Sequence, residues 1–212
     1  MEFEDTEVWG FEHAIRGMRN PMESWEKSDS GYVDKRFNDQ FYIGKNDLDL
    51  AQRLIKAGSE HRKFLRQIFV AVDITAPLYW WKEFDTYKVG TVADSCSTMH
   101  KLKDTPITMD CFEMGDFSDD NYVLVIEEKW NETVEYLEYL RKKYSETKDK
   151  RYWKELIRLL PESWLQKRTV TMSYENVANM YSQRMNHKLT EWSKDFIQWA
   201  DNLPYFKELF TV

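Results

Sequence analysis

Residues 68–74 read IFVAVDI, an apolar, β-branched run with Pro77 just beyond it. Side chains of this kind fit a pleated strand, and the proline ends it. A strand of this composition needs a sheet around it, and that sheet needs helices to cover it. The following segment, PLYWWKEFDTYK, supplies one candidate. Pro77 stands at an expected first helical position, and two adjacent tryptophans with a phenylalanine mark a buried or interface helix.

The helices are legible from their periodicity. Leu48, Leu50, Leu54 and Ile55 share one helical face, with Asp47 in the first turn and Gly58 as the stop. A second short helix is expected after Ser59. Farther on, Val123, Ile126, Trp130, Val134, Leu137 and Leu140 form an apolar stripe at three- and four-residue spacing. This predicts an amphipathic helix capped by Asp119–Asp120 and running through Lys143. Helices are further expected over about 150–160, 174–186 and 190–202, with a last turn after Pro204. Strands are expected at 3–11 and at 168–173, where RTVTMS alternates. Residues 23–38 and 89–97 read as loops, and 105–114 as a short strand or loop. The reading is a single α+β domain, its helices packed around a small antiparallel or mixed sheet. Residues 1–45 form an N-terminal elaboration and 46–205 the core.

Composition narrows the function. Seven Gly and five Pro in 212 residues exclude collagenous and turn-dense all-β classes, and 16% aromatic content excludes a disordered chain. No run of about 18 apolar residues suggests a membrane span. The acidic start MEFEDTEVWG differs from a signal peptide, and Cys96 and Cys111 do not make a disulfide framework, so a cytoplasmic setting is expected. A formal net charge of −7 argues against nucleic acid as the main partner. A few local cations can still hold a phosphorylated small molecule, because exposed charges are screened over ~10 Å. His13, His61, His100 and His187 show no ligand spacing with each other or with the cysteines, so no metal is expected. Phosphate-cradling glycine loops and the GxSxG elbow are likewise missing.

Three clusters remain as candidates. Arg16 and Arg19 flank Gly17 and read either as a phosphate clamp or as a solvated basic turn. The stretch 86–100 carries Lys88, Thr91, Asp94, Ser95 and Ser97. Backbone amides at a helix start near 95–97 favour an anion, whereas a plain Ser cap explains the same residues. Arg184, His187 and Lys188 gather at a helix end, where they also complement the helix dipole. The Trp and Tyr excess serves core and oligomer packing, or stacking on a base or flavin ring.

Strand, Ala76-Pro77, aromatic helix and the Ser/Thr/Asp-rich stretch together resemble the flavin-dependent thymidylate synthases. That family carries RHRxxSxNExSxRY after such a strand and helix, and TYKVGTVADSCSTM (86–99) lies against it without a gap. Lys88 keeps a positive charge, Thr91 a hydroxyl and Asp94 a carboxylate, and Cys96 stands where the second serine falls. Thr86 and Tyr87 replace arginine and histidine, Ala93 replaces asparagine, and Thr98 and Met99 replace arginine and tyrosine. RTVTMS, a helix and YSQRMNHKLTEW resemble the family's C-terminal part and put Arg184 opposite a nucleotide-phosphate contact. The resemblance implies a homotetramer binding FAD and a pyrimidine nucleotide, with Tyr87 and Lys88 toward the cofactor. Lys88, Thr91, Asp94, Ser95, Cys96, Ser97 and Arg184 fall toward the substrate. Two functions follow from it: a reductive one-carbon transfer to the nucleotide, or a protein that holds or sequesters a nucleotide without turning it over. A purely structural oligomer is the third reading. The binding readings share one expectation, that Lys88 and Arg184 converge on an anionic metabolite.

Overall fold

The computed structural model describes residues 1–34, 38–114, 116–117 and 121–210. The chain begins with β1 (Glu2–Trp9) and α1 (Phe11–Met18), then a hairpin of β2 (Gly31–Asp34) and β3 (Asn38–Tyr42), and α2 (Lys45–Lys56). The central part holds β4 (Phe69–Pro77), α3 (Leu78–Phe84), β5 (Thr91–Ser95) and the single turn α4 (Thr98–Lys101). Next come α5 (Val123–Thr147), α6 (Lys150–Leu159), β6 (Leu165–Ser173) and α7 (Tyr174–Arg184). A π-helical turn, Glu191–Phe196, leads into α8 (Ile197–Asp201), and α9 (Phe206–Phe210) follows. The expected α+β class is the one found: four strands form an antiparallel sheet in the order β1-β4-β6-β5. The strand read from IFVAVDI is β4. Val70, Val72, Ile74 and Ala76 are fully buried, while Phe69, Ala71, Asp73 and Thr75 on the alternate face are half-buried.

Several elements differ from expectation. Residues 23–38 are not all loop, since β2 pairs antiparallel with β3 and Tyr32 stands opposite Phe41. The pair is joined by an edge-on ring contact at 5.3 Å, which a polar local sequence does not announce. Thr91–Ser95 is likewise a strand. It is a sheet edge whose side chains Val92, Ala93, Asp94 and Ser95 are exposed, so its composition reads as loop while its backbone pairs with β6. Pro77 closes β4 and caps α3 from outside the helix. The helix expected after Ser59 is a short 3-10 segment, Lys63–Gln67, and another, Met109–Cys111, occupies the 105–114 stretch. The long helix is α5, with Tyr122 at its N-cap; the Asp119–Asp120 cap lies outside the described residues. No described helix is long and apolar enough to cross a membrane.

The chain forms two compact units, each assembled from separated stretches, with β4 and β6 passing from one into the other. The first unit comprises Met1–Glu2, Ile74–Thr86 and Asp94–Thr169. Its core is Leu102, Ile107, Phe112, Val134, Leu137, Leu140 and Leu156, buried as α5 packs on α6. Each such side chain stabilises the fold by about 2 kcal/mol relative to exposure. Of the predicted stripe on α5, Val134, Leu137 and Leu140 belong to this core and Trp130 packs against it. The second unit comprises Phe3–Asp73, Tyr87–Ala93 and the chain from Val170 onward. Its core is aromatic: Tyr174 meets Phe11 and Phe206 edge-on and donates its hydroxyl to the Pro204 carbonyl at 2.7 Å. Phe3 stacks on Trp199 with centroids 4.8 Å apart.

Candidate functional site

The end of β5 organises a cavity in the first unit. Past Ser95 the chain stays pinned to β6, because the Cys96 N–H donates to the Lys167 carbonyl at 2.9 Å. The Gln166 amide donates to the Cys96 carbonyl at 2.8 Å and to Thr98 Oγ1 at 3.3 Å. Gln166 is itself aimed, since Arg168 Nε donates to its Oε1 at 3.0 Å. Arg168 in turn lies over the Trp81 ring at 4.2 Å and pairs with Asp85 at 2.8 Å. A relay from Asp85 through Arg168 and Gln166 thus sets the position of residues 96–98. Ser97 accepts from the His100 N–H at 3.2 Å, so of its two readings the helix cap is realised.

Residues 96–98 wall a cavity of about 500 Å³, whose other sides include Lys101, Thr105, Trp164 and Lys167. The Trp164 ring is held edge-on by Phe112 at 5.5 Å. Glu113, also on the wall, accepts a hydrogen bond from the Tyr79 hydroxyl at 3.0 Å. A volume of this size takes a small metabolite. The lining is mixed in charge: the ammonium groups of Lys101 and Lys167 and the Thr hydroxyls suit phosphate oxygens, the carboxylates of Glu2, Asp110 and Glu113 stand on the same wall, and the indole suits a flat ring. Of the candidate residues read from the sequence, Cys96 and Ser97 line this cavity; Lys101, Trp164, Gln166 and Lys167 were not among them. The alternation of RTVTMS, followed back toward its N-terminus, was the signal for the last two.

The remaining predicted residues fall as follows. Asp94 and Ser95 are exposed on β5 in the first unit. In the second unit Thr91 Oγ1 donates to the Tyr87 carbonyl, closing a turn in which Gly90 adopts φ +78°. Arg184, the last residue of α7, donates from Nε to the Tyr87 hydroxyl at 2.9 Å, and that hydroxyl donates to Gln183 Oε1 at 2.9 Å. The guanidinium also sits 4.9 Å from the Trp192 ring centroid. Arg184 is therefore brought to Tyr87 and Trp192, while Lys88, beside Tyr87 in the chain, is exposed. The reason is that a weakly hydrated planar guanidinium settles between rings where an ammonium prefers water. Arg16 is exposed, whereas Arg19 is 3% exposed and pairs with Asp47 at 2.5 Å. Its other nitrogens donate to the carbonyls of Ser24 and Lys27 at 3.2 and 3.1 Å, so Arg19 serves the fold. Among the described residues no three His, Cys, Asp or Glu gather so as to hold a metal ion.

No family model matches this chain, and no curated protein matches it either. Solved structures do. The flavin-dependent thymidylate synthase ThyX from Helicobacter pylori, complexed with FAD and dUMP, superposes with a TM-score of 0.68 at 19% identity, covering 98% of this chain and 96% of that one. A second structure of that enzyme with FAD and dUMP gives a TM-score of 0.70 at 18% identity, with the same coverage. The fold is that of the flavin-dependent thymidylate synthases. Within the first 45 residues, β1 lies in the sheet beside β4.

Proposed function

We propose that this chain is a nucleotide-binding protein built on the thymidylate synthase fold, taking a pyrimidine nucleotide into the cavity of the first unit. One observation carries the reading: the stretch that resembles the family's motif, at Cys96, Ser97 and Thr98, is a wall of that cavity. Lys101 and Lys167 hold the phosphate, Thr98 donates a hydroxyl to it, and Trp164 lies along the base. The fold's relatives are solved with FAD as well as dUMP, so the fit of a flavin bears on whether this chain turns its nucleotide over. At the positions of the motif's arginine and histidine, Thr86 donates its hydroxyl to the Glu83 carbonyl and Tyr87 is tied to Arg184 and Gln183. Both are neutral and internally bonded, so they do not fit a flavin diphosphate, and holding the nucleotide without reducing it is the function favoured. By the same resemblance the binding unit is a homotetramer.

Calorimetric titration with dUMP, UMP and deoxyuridine tests this. The nucleotides are expected to bind at least tenfold more tightly than the nucleoside, and to be recovered unchanged. Lys101→Ala and Lys167→Ala should each weaken dUMP by roughly tenfold, the scale of one charge-assisted hydrogen bond. Equal binding of deoxyuridine, or no uptake of any nucleotide at millimolar concentration, refutes it. A yellow protein that methylates dUMP when given a reduced nicotinamide and a methylene-folate replaces this reading with the enzymatic one.

A further inference from the structure

A second cavity, of about 440 Å³, lies in the second unit at the junction of β1 and α1. Its wall is aromatic: Trp9, Phe11, Tyr32, Phe41 and Tyr205 all line it. The rings meet at right angles in two corners. Tyr32 and Phe41 stand at 77° with centroids 5.3 Å apart, and Phe11 and Tyr205 at 73° and 5.6 Å. Trp9, 44% exposed, adds a face held by its stack on Phe69 at 5.8 Å. At the wall stands one carboxylate, Glu12, which accepts the Tyr32 hydroxyl at 3.0 Å.

The cage is held in place by the backbone. Gly10 turns the chain from β1 into α1 at φ +98°, and a Cβ there would lie 2.2 Å from the Gln67 carbonyl oxygen. The turn therefore sets Trp9 and Glu12 on opposite sides of one tight bend. Tyr205, at φ +58°, is fixed from the other side, its hydroxyl accepting from the Ile43 N–H at 3.3 Å.

Aromatic rings line this cavity from several directions, and each carries an electron-rich π face. Such faces attract a cation whose charge is spread over methyl groups, and they offer little to an anion. A carboxylate fixed beside them completes the complement for an alkylated ammonium head. We propose that this cavity is a binding site for an organic ammonium ion of the N-methylated class, with the rings enclosing the head and Glu12 balancing its charge. The site goes beyond the nucleotide reading and stands independently of it.

The test is NMR and calorimetric titration of the full chain with choline and with 3,3-dimethylbutan-1-ol, the same shape without charge. Choline is expected to bind at least about tenfold more tightly, its N-methyl protons shifted upfield by the rings. Trp9→Ala and Glu12→Gln, both at solvent-accessible positions, should each weaken choline about three- to tenfold while far-UV circular dichroism is unchanged. Arg16→Ala, removing a like charge one helical turn from Glu12, should strengthen it about twofold. Nε-trimethyllysine, titrated alongside, distinguishes a free metabolite from a modified side chain as the source of the head. Equal binding of the neutral isostere, no binding of either cation at millimolar concentration, or choline binding untouched by both Trp9→Ala and Glu12→Gln overturns the proposal.

Discussion

Asp47 is fully buried, and replacing it with Asn tests the reasoning applied to the second unit. Its carboxylate accepts from Arg19 Nε at 2.5 Å, the Ser28 and Ser30 hydroxyls at 2.7 and 2.6 Å, and the Asp29 and Ser30 N–H groups at 3.1 Å. These bonds tie the end of α1 and the segment leading into β2 to the first turn of α2. Burial pushes the carboxyl upward, yet the Ser30, Ser28 and Arg19 donors together hold it below its ordinary value. An amide keeps one acceptor and turns a donor toward groups that already donate. It also leaves Arg19 buried without its counter-charge. Breaking a buried pair from one side costs about 3–5 kcal/mol, against a total stability of roughly 5–15 kcal/mol. Urea unfolding followed by tryptophan fluorescence at pH 7 should therefore show a fall of about 3 kcal/mol or more at unchanged m-value. Replacing both partners, Arg19→Met with Asp47→Leu, should cost less than the sum of the two single changes. The pH dependence has a definite sign. A carboxylate with a lowered folded value contributes stability that is full above its unfolded value near 3.8 and is lost as pH falls through the folded one. The Asn variant should be flatter in that window. A loss under about 1 kcal/mol at pH 7, or singles that add fully, refutes the account.

Other outcomes follow from the same geometry. Glu138 is held at about 2 by the hydrogen bonds from Arg141, against the opposing effect of burial and with help from the Ile107 N–H. Its contribution is complete above pH ~4.5 and fades toward pH 2, so an acid titration of stability should separate the parent from Glu138→Gln over that interval by up to about 2 kcal/mol. Gly10→Ala should destabilise by about 2–3 kcal/mol, because it combines a positive φ with a clash against the Gln67 carbonyl, and thermal unfolding measures it. Tyr87→Phe removes the hydroxyl between Arg184 and Gln183. It should cost about 1–2 kcal/mol in urea while leaving dUMP affinity unchanged, which separates a structural Arg184 from a phosphate ligand.

The parts of this protein that the sequence determined by itself are those with a period. The apolar run of β4, the stripe of α5 with Val134, Leu137 and Leu140 at the core, and the helix α2 all come from spacing within one segment. Cys96 and Ser97, which line the cavity, stood out in the sequence because the motif resemblance lies within a single stretch. The tertiary structure alone decided what spacing cannot encode. Edge strand β5 and the β2–β3 hairpin are held by backbone pairing that polar side chains do not advertise. Arg19 and Arg184 stand out as cations in a list of residues, and only the fold supplies the partners they meet far along the chain, Asp47 and Tyr87. The cavity's Gln166 and Lys167 lie about 70 residues from Cys96 and meet it only because β6 pairs with β5. Periodicity reports which face of an element is buried; what that face meets depends on contacts between elements, and these exist only once the chain has closed on itself.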